Sequence, residues 1–359
     1  MFFKYKRIVV KIGSNVLTQS NGLPDQHRIA ALVEQIVAIK RQGIDVILVS
    51  SGAVAAGRSL ITVSDKYDAI AARQLLASIG QVKLINNYAA LFEKHDILCS
   101  QVLVTTEDFK GRQHYLNMQN CLEILLQHNV IPIVNENDVV SVTELMFTDN
   151  DELAGLIASM LNAQAMIILT NVDGIYTGNP NDEGSELIKE VSGNGVDFSS
   201  FVTTGKSQFG RGGMVTKSHM AQKTARLGIA VHIANGTKEN ILLDVLNNEV
   251  AHTRFIPDKT ASGKKKWLAH SEKAATGIVQ INTGAKIALT SNKATSLLPV
   301  GIVDILTDFK KGEIIKLIDD QKKVIALGIA EYGADKAKEN IGQKNQKPLV
   351  HYDYLYLLS

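Results

Sequence analysis

The chain has 359 residues, 45% of them hydrophobic and 21% charged. That composition excludes a disordered chain or a fibre, and the length suggests two or three domains at about 100–200 residues each. With 38 Lys and Arg against 36 Asp and Glu, the net charge of +2 is too small to imply nucleic-acid binding through bulk charge.

Residues 7–12 form a short β-rich run ending at Gly13. Residues 25–42 carry helical periodicity through Ile29, Leu32, Val33, Ile36 and Val37, with Asp25 as N-cap and Gly43 as the stop. Asp45 to Val49 reads as a buried strand that breaks at Ser50-Ser51-Gly52-Ala53. A helical pattern spans 68–94, with Gly80 as an expected interruption. Ile97 to Val104 reads as strand, 113–128 as helix, and Val130 to Val134 as strand, although Pro132 speaks against a central position. Helix follows at 150–162, strand at Ala165 to Leu169, helix at 215–227, strand at Ile229 to Ala234 and helix at 238–248. This alternation predicts an α/β domain over 1–252, a mainly parallel sheet sandwiched by helices. Ligands of such sheets sit beyond the carboxyl ends of the strands.

The texture changes near residue 252. Residues 253–274, polar and basic over 258–266, read as a linker. Residues 275–359 read as a small β-rich domain. Its strand-like runs are 277–279, 286–289, 301–303, 313–317 and 324–327, and a helix is expected at 333–341. Cys99 and Cys121 match no metal-ligand spacing and read as reduced core thiols. His219, His232 and His270 stand isolated. No apolar run nears the roughly 20 residues that cross a membrane. Lys11 interrupts the N-terminal apolar stretch that a signal peptide would need, so the expectation is a cytoplasmic chain.

Chemistry is to be sought in the loops after the strands. Lys11 before Gly13 sets a cation beside backbone N–H groups, as phosphate binding requires, or is a snorkelling edge lysine. Ser51-Gly52 allows close ligand approach, or Ser51 caps the next helix. Asn135-Glu136-Asn137-Asp138 and Thr148-Asp149-Asn150-Asp151 form either a polar, anionic pocket wall or a turn and an N-cap. Thr170-Asn171-Val172-Asp173-Gly174 suits a turn over a ligand base. Arg211-Gly212-Gly213-Met214-Val215-Thr216-Lys217 resembles an anion-binding nest that opens a helix. Gly205-Lys206-Ser207 imitates the end of a P-loop, but Ser200 stands where that motif needs glycine.

Taken in order, these loops resemble those of the amino-acid kinase family. The matching series is Val10-Lys11-Ile12-Gly13-Ser14, Ser50 to Gly57, Asn135 to Asp138, Asp149-Asn150-Asp151, Thr170-Asn171 with Gly174 to Thr177, and Gly212 to Lys217. The region from about 275 resembles a PUA domain. The resemblance points to the branch that phosphorylates the γ-carboxylate of L-glutamate with ATP, the first step of proline synthesis. It implies Lys11, Asp149 and Lys217 as catalytic residues, with Asp149 orienting the two lysines. It implies Asp138 for the substrate ammonium and Ser51, Asn150 and Asn135 for its carboxylates. The nucleotide would lie on Gly13, Gly52, Thr170, Asn171, Arg211, Gly212, Gly213, Met214, Val215, Thr216 and Lys217. Mg²⁺ would be held by the ATP phosphates rather than by protein side chains. Further implications are inhibition by proline, a homodimer or homotetramer, and delivery of the product to a glutamyl phosphate reductase. Two alternatives stand: a relative acting on aspartate or N-acetylglutamate, and an RNA-binding role for the C-terminal domain. That domain has no arginine after Arg254, whereas RNA recognition commonly uses arginine planes and stacking.

Overall fold

The structure, a computed structural model, describes residues 4–64, 66–140, 147, 149–180, 182–192, 213–258, 262–291 and 294–358. Arg211, Gly212, Thr148 and the P-loop imitation at 205–207 lie outside the described residues. The chain forms two units. One comprises Met1–Asp108 and Tyr115–Thr260, and the other Phe109–His114 and Ala261–Ser359.

Apolar runs buried on both faces make the strands of the first unit, and amphipathic stretches between them make its helices. In chain order these are β1 (Arg7–Ile12), α1 (Ser14–Leu17), α2 (Gln26–Arg41), β2 (Asp45–Ser50), α3 (Ala53–Arg58), α4 (Ala69–Glu93) and β3 (Cys99–Val104). Then come α5 (Glu107–Lys110), α6 (Arg112–Gln127), β4 (Ile131–Glu136), α7 (Asn150–Met160) and β5 (Ala165–Thr170). The last are β6 (Glu190–Val191), α8 (Met214–Arg226), β7 (Ala230–Asn235), α9 (Ile241–Asn247) and β8 (Thr253–Phe255).

These strands build an eight-stranded sheet in the order β3-β4-β2-β1-β5-β7-β8-β6. The strands from β3 to β7 run parallel, and β8 pairs antiparallel with β7. The short strands β8 and β6 escaped the sequence reading because runs of three and two residues carry no periodicity. Pro132 does lie in an interior strand, but the ladder with β2 begins only at Ile133, so its missing N–H falls at the strand's start. Ile12 registers with Ser50 and Leu169, and Thr170 with Asn235. The carboxyl ends of β1, β2, β5 and β7 therefore share one edge. From β1 the chain moves to β2 on one side, and from β5 it moves to β7 on the other. That reversal is a topological switch point, the usual ligand crevice of such sheets.

Gly80 does not interrupt α4. A Cβ there would lie 1.8 Å from the Ala53 carbonyl oxygen, and one on Gly57 would lie 2.1 Å from that of Leu76. The two glycines let α3 and α4 touch backbone to backbone, which fixes the Ser51-Gly52 loop against α4. Cys121 is exposed and Cys99 half-buried, so neither is the core thiol expected.

The second unit contains α10 (Gly263–Ala269), β9 (Gly277–Ile281), α11 (Thr283–Thr290), β10 (Ile302–Thr307), β11 (Ile314–Ile318), β12 (Val324–Ile329), α12 (Ala334–Glu339) and β13 (Leu355–Leu357). Its sheet order is β10-β9-β11-β12-β13, packed over Val279, Ile315, Leu317, Ala326, Leu349 and Val350. The run 286–289 is helical, not a strand. Asn282 caps it, accepting the Ala285 N–H at 2.8 Å, and the cap outweighs the β-like composition. Nor is the polar stretch before this domain an open linker, because it holds α10. There the buried Trp267 donates its Nε1–H to the Phe109 carbonyl at 3.2 Å, and Arg112 lies over its ring at 5.6 Å from the centroid.

His232 is not isolated either. Its Nδ1 lies 2.9 Å from His252 Nε2, its Nε2 lies 3.1 Å from the Tyr5 hydroxyl, and His252 Nδ1 lies 2.9 Å from the Val250 carbonyl. A carbonyl only accepts, so one proton order satisfies every bond with neutral rings: Tyr5 to His232, His232 to His252, His252 to Val250. Burial, with His252 and Arg254 alongside, holds His232 down to about 3. The unfolded chain takes up this proton near pH 6.5, the folded chain only near 3. The contribution to stability is thus complete above the upper value and lost as pH falls toward the lower. The urea midpoint should fall between about pH 7 and about pH 5, and fall less in His232→Gln, which cannot titrate. Equal falls would deny the histidine that role.

Candidate active site

Lys11 is the penultimate residue of β1 and is buried, at 4% exposed. A buried ammonium needs an anion, and the partner comes from another element. Asp151, fully buried in the first turn of α7, places Oδ1 2.6 Å from Lys11 Nζ and Oδ2 2.8 Å from Lys217 Nζ. Lys217 lies in the first turn of α8. Burial alone would raise the Asp151 carboxyl, but the two ammonium groups hold it at about 2. Burial likewise opposes charge on Lys217, yet Asp151 raises it above the ordinary lysine value.

The sequence reading placed Asp149 between the lysines, and the structure puts Asp151 there. Asp149 is the N-cap of α7, its side chain accepting the N–H groups of Asp151 at 2.9 Å and Glu152 at 3.0 Å. Burial and the neighbouring Asp151 charge push its carboxyl up to about 7, against the pull of the lysines. Its Oδ2 is buried with no hydrogen-bond partner among the described residues. One signal was available. A cap side chain is consumed by backbone, whereas the acid two residues on opens a helix that buries Leu153, Ala154, Ile157 and Ala158.

Beside this bridge lies a polar network. Asn150 Nδ2 donates to Ser51 Oγ at 2.9 Å and to Asn135 Oδ1 at 3.1 Å, and Asn135 Nδ2 donates to Gln81 Oε1 at 3.1 Å. Four polar side chains from the ends of β2 and β4, the start of α7 and the face of α4 meet there. Asp138 is buried and paired with Arg73 of α4, whose Nε donates to Oδ1 at 2.9 Å. Gln81 and Arg73 were not among the expected site residues.

The Gly13 N–H is engaged by the Leu169 carbonyl at 3.3 Å, so in this state it is not the free donor expected. The glycine has another use. A Cβ on Gly13 would press on the Leu169 carbonyl oxygen at 3.2 Å, and it would stand in ordinary contact with Lys11 Nζ at 3.5 Å. Gly52 has φ +109°, a conformation that disfavours any side chain.

On the other side of the switch point, Thr170 Oγ1 donates to Asn171 Oδ1 at 3.3 Å, and the Thr170 carbonyl accepts the Gly236 N–H at 2.7 Å. Asp173 accepts from Asn235 Nδ2 at 3.1 Å and pairs with Lys238 at 2.8 Å. The sequence reading missed this loop after β7, where 235–238 abut 170–173. Gly213 caps α8 without a side chain, which leaves the backbone N–H groups around Met214, Val215 and Thr216 at a positive helix end. Helix α8 approaches α7 at Gly155, where a Cβ would lie 2.9 Å from Thr224 Oγ1 and 3.0 Å from Met220 Sδ.

Two lysines locked on one buried acid at a switch point, beside an uncapped helix N-terminus, suit a protein that transfers phosphoryl groups between anions. The profile of the amino acid kinase family matches residues 6–235, and that of the PUA domain residues 277–352. A glutamate 5-kinase of Bacteroides thetaiotaomicron is 50% identical over 357 residues, 99% of each chain. One of Chlorobaculum tepidum is 51% identical over 355 residues, 99% of this chain and 98% of its own. The chain belongs to the amino acid kinase family and, within it, to the glutamate 5-kinases. At the level of fold alone, it is similar to the carbamate kinase from Giardia lamblia bound to AMP-PNP. The TM-score is 0.50 at 17% identity, over 71% of this chain and 99% of that one.

Replacing the buried acid should cost more than replacing the cap. Asp151→Asn leaves two ammonium groups facing each other and should destabilise by about 3 kcal/mol. Asp149→Ala should cost about 1 kcal/mol. Urea unfolding of both variants checks the order.

Proposed function

We propose that the chain phosphorylates the γ-carboxylate of L-glutamate with ATP, yielding γ-glutamyl phosphate, the first step of proline biosynthesis. The observation that carries this reading is the Lys11–Asp151–Lys217 bridge, in a chain 50% identical over nearly its whole length to a glutamate 5-kinase. A glutamate carboxylate, with a reference pKa near 4.3, is already ionised at neutral pH. It needs no general base. It needs cations, because one anion must approach another along an in-line path.

Lys11 and Lys217 neutralise the charge of the transferring phosphoryl group from two sides. Asp151 holds both Nζ atoms where that charge develops, so they need not be gathered during the reaction. Asp149 Oδ2, buried and without a hydrogen-bond partner among the described residues, fits a polar ligand entering beside the bridge. The start of α8 and Thr170-Asn171 hold the nucleotide. Mg²⁺, which the nucleotide phosphates would hold, would supply further charge neutralisation. Asp138 takes the substrate ammonium, and Ser51, Asn135 and Asn150 orient its carboxylates.

The same reading makes proline an inhibitor at the glutamate pocket and a reductase the consumer of the labile acyl phosphate. It also gives a homodimer or homotetramer as the assembly and the cytoplasm as its place. No described helix is long and apolar enough to cross a membrane.

Incubation with ATP, Mg²⁺ and hydroxylamine tests the reading, because hydroxylamine traps acyl phosphates as coloured hydroxamates. Glutamate should give colour, and aspartate and N-acetylglutamate should not. Colour with N-acetylglutamate instead would discard the free amino acid as substrate. Lys217→Ala should lower kcat by roughly a hundredfold or more while the circular dichroism spectrum stays unchanged. Asp138→Asn should raise the glutamate KM about tenfold or more and leave the ATP KM in place, as expected for a lost charge-assisted contact.

A further inference from the structure

Arg73 sits on α4, away from every motif that marks the site. Its guanidinium donates to Asp138 through both Nε and Nη2, and both bonds fall on one oxygen, Oδ1. Nη2 also stands 3.8 Å from Glu136, itself buried. The usual fork places two nitrogens on two oxygens, but here the pair is offset. Asp138 Oδ2 accepts no hydrogen bond from a described residue, and Arg73 Nη1 donates to none. Among the described residues, the ion pair thus keeps one acceptor, Asp138 Oδ2, and one donor, Arg73 Nη1, without a partner.

An α-amino acid head carries the complementary pair, an ammonium and a carboxylate on one carbon. We propose that Arg73 and Asp138 together form a clamp for the zwitterionic head of the substrate, with the α-carboxylate on Arg73 and the α-ammonium on Asp138. The inference rests on the glutamate reading above and adds to it a specificity-determining residue. Ser51, Asn135 and Asn150 orient the carboxylates but supply no counter-charge. Lys11 and Lys217 are committed to Asp151. The Asn150 amide is already shared between Ser51 and Asn135 and carries no charge. Arg73 is the described cation in contact with the predicted ammonium site, and at 32% side-chain exposure it has room to turn. Its helix is held in place. Gln74 donates to the Val139 carbonyl at 2.8 Å, Gln81 receives Asn135, and Gly80 packs on α3. Arg73, Ala77 and Gln81 follow at four-residue steps, so Arg73 and Gln81 share one face of α4.

The test compares Arg73→Met and Arg73→Lys with the wild type in the hydroxamate assay, with 4-aminobutyrate as competitor. That compound keeps the ammonium and the reacting carboxylate but lacks the α-carboxylate. Arg73→Met should raise the glutamate KM about ten- to hundredfold, the range for a lost hydrogen bond to a charged group. It should leave the ATP KM and the inhibition constant of 4-aminobutyrate unchanged, and Arg73→Lys should recover part of the loss. A lower glutamate KM in Arg73→Met would mean that the arginine only plugs Asp138, and would overturn the clamp. Equal weakening toward glutamate and 4-aminobutyrate, or an unchanged glutamate KM, would also overturn it. A wild type silent on glutamate would instead sink the functional reading itself, so the two failures are distinct.

Discussion

One buried carboxylate organises this site. Asp151 carries no solvent exposure and contacts the ammonium groups of two separate elements, β1 and α8. Each of the three charges would be costly to bury alone, and removing one member strands the others. The arrangement therefore survives only as a set, and β1, α7 and α8 are held in mutual register by it. Gly155 contributes from the middle of α7, where a Cβ would press on the Thr224 hydroxyl and the Met220 sulfur of α8. The charges are in place before any phosphate arrives, which is the condition for electrostatic catalysis with little rearrangement.

The second constraint is steric. Gly57 and Gly80 allow α3 and α4 to meet at backbone distance, and α4 then presents Arg73 and Gln81 to the end of β4. The wall proposed for the substrate is built from a helix whose relevant residues lie 54 and 65 positions before their partners.

Much of this architecture was legible in the sequence. A parallel strand is buried on both faces and reads as an unbroken apolar run, so β1, β2, β4, β5 and β7 stood out, and Lys11 was conspicuous at the end of one of them. The start of α8 announced itself through its glycines. What stayed hidden depends on pairing across the chain. Asp149 and Asp151 sit in the same helix start, and the one signal that separates them is which of the two is consumed as the cap. Local pattern could not pair Arg73 with Asp138 or His232 with His252. Gly80 looked like a helix breaker because its contact lies on another helix. The run 286–289 looked like strand because its composition suits either form, and Asn282 tips the balance.

The stretch Phe109–His114 belongs with the second unit although it lies within the sequence of the first. It supplies the carbonyl that meets the Trp267 indole and the guanidinium that covers its ring. The tail is consequently not a detachable cassette. A stop codon ahead of residue 261 would leave 109–114 without the indole it was folded around, and a fragment starting there would carry the indole unroofed. Any chimera that grafts this C-terminal unit onto a relative must transplant an internal loop along with it.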